Sequence, residues 1–152
     1  MAGKEEFDFE KLACEITVSQ LKGIGHAPNV AAGIAGNMIV AGVASTRERQ
    51  EPRLTVTGVC RGVLSGMRSI EGDLAATAVE ILHSMAHLAQ EVQQDPDDMR
   101  TWAMDAIVMV AASGQPDLKE KLRVALEADF MGAGDIFTAL CAKAGAGPAA
   151  KT

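Results

Sequence analysis

Residues 54–94 read LTVTGVCRGVLSGMRSIEGDLAATAVEILHSMAHLAQEVQQ, and this stretch decides the fold class. Apolar side chains recur at Val56, Cys60, Val63, Met67 and Ile70, then at Leu74, Ala78, Ile81, Met85, Leu88 and Val92. The steps alternate between three and four residues, the period of a helix with one buried face. The period slips once, between Ile70 and Ala78, where Gly72-Asp73 can end one helix and cap the next. Two helices, 54–70 and 73–94, are therefore expected. The β-branched run Thr55, Val56, Thr57 and Val59 offers a competing local strand, but the helical period continues through it.

A second pattern overlies the first half. Gly58, Gly62 and Gly66 stand four apart and share one helix face, roughly opposite the apolar one at about 100° per residue. Glycine costs a helix about 1 kcal/mol against alanine, so a row of them needs compensation. Close approach of another helix is the expected one. That helix is either a second copy of the chain or a segment of the same chain, such as 29–46. The 29–46 stretch is itself rich in small residues, with Ala32 and Gly36 four apart.

Outward from this centre, a first helix is expected from Asp8 to about Lys22, with Phe9, Leu12, Ala13, Ile16 and Gln20 near one face. Gly23, Gly25 and Pro28 break it, and Asn29 can cap the next helix. Asp95-Pro96-Asp97-Asp98 is the clearest helix start, with Asp95 as cap, Pro96 in the first turn and acids at the positive end. Pro116-Asp117 opens another helix, and Asp135 can cap a short last one. The expectation is an all-α fold of five or six antiparallel helices in a compact bundle, packed through Gly and Ala. Residues 1–7 form a leader, 8–144 a single helical domain and 145–152 a mobile tail.

Composition removes several functions. The net charge of −6 disfavours binding to nucleic-acid phosphates, and a chain with one Trp and no Tyr makes a poor base-stacking platform. Arg47, Arg49 and Arg53 are interrupted by Glu48 and Glu51 and read as a solvated connection. Cys14, Cys60 and Cys141 are odd in number and far apart, which fits a reducing cytoplasm. The apolar run from Val30 to Ala44 would reach about 22 Å as a helix, short of a hydrocarbon core of about 30 Å, so a buried helix is expected rather than a membrane span.

No catalytic motif stands out, and no cofactor is implied. The best metal-like grouping is Glu80, His83, His87 and Glu91, where Glu-x-x-His and His-x-x-x-His could chelate a divalent ion from one helix. A second Glu-x-x-His is missing, and the four residues lie away from Leu74, Ile81, Met85 and Leu88, so a solvated polar face is the plainer reading. Asp105 is the only charge between Trp102 and Ala112; it marks the wet edge of its helix or pairs with Arg61, Arg68 or Arg100.

The alternation of amphipathic stretches with Gly- and Ala-rich helices, mainly over residues 54–94, is similar in style to phasin-like and other glycine-zipper helical proteins. That likeness is compositional and carries no active site. It implies an amphipathic coat on lipid or polymer surfaces. The leading expectation is a non-enzymatic structural or interaction protein that self-associates, with Gly58, Gly62, Gly66, Ala32 and Gly36 at the interface. A metal-binding helical bundle is the alternative.

Overall fold

The structure is a computed structural model that describes residues 9–22, 28–46, 50–114 and 116–151, from residue 145 onward by backbone alone. Among the described residues the fold is all helical, with seven helices and no strand. They are α1 (Phe9–Leu21), α2 (Pro28–Ser45), α3 (Pro52–Ser69), α4 (Leu74–Val92), α5 (Pro96–Ala112), α6 (Pro116–Asp129) and α7 (Ala133–Lys151). The number exceeds the expected five or six, because Gly72, Gly114 and Gly132 each stand between two separate helices. The expected cap at Asp8, the Gly23–Gly25 connection and residues 47–49 lie outside the described residues.

The central stretch is two helices, for a reason visible at the junction. The Gly72 N–H donates to the Met67 carbonyl at 2.7 Å and closes α3, with Glu71 in the left-handed region at φ 60°. The Asp73 carboxylate then accepts from the Ala76 N–H at 3.0 Å and opens α4. The residues that suggested a strand, Thr55, Val56, Thr57 and Val59, are all buried on α3. Tertiary packing of an amphipathic helix outweighs their β preference. Asp95 accepts from the N–H groups of Asp97 and Asp98, at 2.7 and 3.3 Å, and starts α5 at Pro96 as expected.

Two helix starts differ from expectation. Helix α2 begins at Pro28, so Asn29 lies inside its first turn. Helix α7 begins at Ala133, so Asp135 sits in the first turn and the Glu127 carboxylate reaches over from α6 instead. Glu127 accepts from Gly132 N–H at 3.1 Å and Gly134 N–H at 2.9 Å, across a turn where Gly132 has φ +86°. The backbone of α7 runs on to Lys151, longer than the short helix expected there.

Packing is arranged around α3, α4 and α5, which touch one another. Helix α1 lies along α3, α2 spans α3 and α4, and α6 and α7 cover α4 and α5. One hydrophobic cluster draws on all seven helices, from Ala13 and Leu21 to Phe137 and Cys141. It holds few aromatics: Phe137 is its largest fully buried side chain, and Met67, Met85 and Met99 fill much of the rest. Arg68 ties the ends of α3 and α5 together by donating to the Val110 carbonyl at 3.3 Å and the Ser113 hydroxyl at 3.2 Å.

The glycine row of α3 is the bed of α1. A methyl group at Gly62 would collide with the Glu10 carbonyl and stand 2.7 Å from the Ala13 methyl, and one at Gly66 would stand 3.0 Å from the Cys14 carbonyl. The neighbour within the chain is thus α1, not the 29–46 helix. This also changes the inward face of α1. Ala13, Thr17 and Leu21 are buried, while Leu12 and Gln20 are exposed; Ala13 and Thr17 are small enough to lie against the backbone at Gly62 and Gly66.

Candidate functional site

The residues singled out on α2 and α4 converge on one groove. From α4, Glu80, His83, Ser84, His87 and Glu91 recur at three- and four-residue steps and form a polar wall. From α2, Ala32, Gly33 and Gly36 form a low opposite wall between Asn29 and Asn37. The space between them is about 450 Å³. Its floor includes Leu88, which a methyl group at Gly36 would touch at 3.4 Å; at Gly33 nothing lies within 4 Å. The small residues of α2 therefore do two jobs. Ala32 and Gly36 are buried and let α2 approach α4, whereas Gly33 faces open space.

The two histidines that share this groove turn to different partners. His83 Nε2 lies 2.9 Å from Asp129 Oδ2, at the end of α6, and its ring rests 4.6 Å from that of Phe130. His87 Nε2 lies 2.6 Å from Glu91 Oε2, one turn along α4. Among the described residues no three His, Cys, Asp or Glu side chains gather closely enough to hold a metal ion. The expected quartet shares a groove but is not drawn to a common point. Asp129 and Phe130 escaped sequence reading because they are distant in the chain and carry no motif.

The three arginines considered for Asp105 are all engaged elsewhere. Arg61 pairs with Glu10 at 3.5 Å, Arg100 with Asp97 at 2.8 Å, and Arg68 holds the end of α5. Asp105 itself is half-buried, and loss of solvent pushes its carboxyl above the ordinary value, opposed by the field of Arg53. Cys60 is fully buried within α3, and burial pushes its thiol up to about 12, so it is a packing residue rather than a nucleophile. Trp102 is half-buried and packs against the hydrophobic core.

The outer face of α2 departs from the buried helix expected there. The helix has 18 residues without a charged side chain, yet only 39% of those residues are buried in the protomer. Val30, Gly33, Asn37, Ala41 and Ala44 are exposed and follow one another at steps of three or four, as a single stripe. Val30 is 46% exposed. The lack of charge was legible in the sequence; the direction it faces was not.

Comparison with protein-family models, with curated proteins and with solved structures finds no match to this chain.

Proposed function

We propose that this is a non-enzymatic interaction protein that self-associates, and that copies meet through the outward face of α2. One observation carries the reading: an uncharged 18-residue helix of which 39% of the residues are buried in its own protomer, with an exposed stripe running along it. Leaving such a face in water forgoes about 25 cal/mol for each Å² of apolar area that a partner would cover. The stripe of Gly33, Asn37, Ala41 and Ala44 allows a second helix to lie close, and Asn37 can hydrogen-bond across the contact. A contact between identical faces closes on itself as a two-fold dimer. The α3 glycines take no part in this contact, because α1 of the same chain lies on them. Ala32 and Gly36 contribute indirectly by seating α2 on α4.

Light scattering on the purified chain tests the reading. A discrete oligomer is expected, and Ala41→Glu should yield the monomer with unchanged helicity. A wild-type monomer at tens of micromolar overturns it.

The second reading is a coat on a lipid surface. It is favoured by α2 alone, which is long and apolar enough, by length and composition, to cross a membrane. In that case the chain floats with vesicles, and Ala41→Glu abolishes flotation.

A further inference from the structure

Away from the α2–α4 groove, a second concavity of about 380 Å³ opens among α4, α5 and the α6–α7 corner. Its walls are apolar, with Leu82 from α4, Met104 from α5, Phe130 at the end of α6, and Ile136 and Leu140 from α7. The volume lies within the range of small-molecule sites, about 300–1,000 Å³. Ile136, on one wall, is 56% exposed. Three polar residues, Arg100, Thr101 and Asp105, stand along the α5 side.

What those three residues have left to offer decides the ligand. The Arg100 guanidinium is committed to Asp97 at 2.8 Å, and the Thr101 hydroxyl donates to the Asp97 carbonyl at 2.9 Å. Asp105 forms no hydrogen bond or ion pair among the described residues. The opposing charge that acts on it is that of Arg53, which pairs with Glu51 at 3.6 Å. The groove thus offers an apolar trough and one uncommitted acceptor carrying negative charge. An anionic head would meet the Asp105 carboxylate, which repels it, beside a guanidinium already shared with Asp97. A neutral apolar molecule would desolvate Asp105 further without compensation. A protonated amine answers both requirements.

We propose that this groove binds a small cationic amphiphile, with the apolar body between α5 and α7 and the ammonium group on the Asp105 carboxylate. Leu82, Met104, Ile136 and Leu140 take the chain, and Asp105 sets the preference for charge.

Octylamine, octanoate and octanol, each kept below the concentration at which it aggregates, provide the probes. Binding is read on the full chain from Met104 methyl NMR shifts and from the emission of Trp102, the single tryptophan. Octylamine should bind saturably at one per chain, and octanoate and octanol about tenfold more weakly or not at all. Asp105→Asn, which keeps the side-chain shape at a half-exposed position, should weaken octylamine about tenfold with unchanged helicity. Ile136→Lys, at a position exposed enough to accept it, supplies the cation from the wall and should abolish octylamine binding. Equal binding of the three probes, undiminished binding by Asp105→Asn, or no saturable binding of octylamine overturns the proposal. None of these outcomes bears on association through α2.

Discussion

A methyl group added at Gly62 would land on the Glu10 carbonyl and 2.7 Å from Ala13, whereas one added at Gly33 would meet nothing within 4 Å. The same substitution should therefore have opposite signs at the two positions. Helix propensity favours alanine by about 1 kcal/mol at either. At Gly62 the obstacle is backbone, which cannot swing aside, and overpacking of that kind costs about 1–3 kcal/mol or more. Gly62→Ala should lower unfolding stability by ~1–2 kcal/mol in urea titration, and Gly33→Ala should raise it by up to about 1 kcal/mol in dilute protein. A gain at Gly62 would remove α1 from its place on α3. Thr17 gives a second residue-scale test in the same contact. Its hydroxyl is fully buried with no hydrogen-bond partner among the described residues. Thr17→Val keeps the shape and deletes the unsatisfied group, so stability should rise by about 1 kcal/mol; a loss would mean that the hydroxyl is satisfied. The glycine spacing was legible in the sequence, because it is a local property of one helix. Which helix fills it was not, since the small residues of the 29–46 stretch fit such a row as well as Ala13 and Thr17 do.

At the scale of elements, the helix ends explain which boundaries could be read. Asp73 and Asp95 cap their helices through side chains two or three residues from the N–H groups they accept from, and local chemistry of this kind is visible in sequence. The start of α7 was misplaced because its first turn is held by Glu127, from the preceding helix. Those two backbone N–H groups lower the Glu127 pKa below the ordinary carboxylate value. A depressed folded pKa contributes stability that is present above the unfolded value and lost as pH falls through the folded one. Glu127→Gln should therefore reduce the loss of stability on acidification below about pH 4.5, measured by melting temperature across pH; an unchanged acid limb would remove Glu127 from this role. The C-terminal end of α4 stores strain, with Gln93 left-handed at φ 60° and ψ 47°. Gln93→Gly should raise stability by ~0.5–1 kcal/mol in urea titration, the left-handed penalty less the entropy of glycine. No gain would mean that the α4 end relaxes to another conformation.

For the whole molecule, the decisive quantity is association. Each copy carries a net charge of −6, and α2 carries none of it. The proposed dimerisation through α2 would then work against long-range repulsion while gaining from apolar contact. Raising salt from low to physiological ionic strength shortens the Debye length to about 8 Å and should tighten the dimer. An interface made of ion pairs would weaken instead. Light scattering or sedimentation across a salt series reads the sign directly, with Ala41→Glu as the monomer reference.

The sequence by itself determined the helices. Apolar period, glycine and proline breaks, and aspartate caps act over a few residues, so each is written next to the element it controls. It also determined that α3 must meet another backbone closely and that α2 carries no charge. Only the tertiary structure decided that α1 lies on the α3 glycines, that His83 turns to Asp129 and His87 to Glu91, and that the uncharged face of α2 looks outward. These pairings join residues of different helices or follow from how whole helices rotate against one another. Side-chain volume and close-packing settle them across the core, where sequence period no longer distinguishes one apolar face from the next.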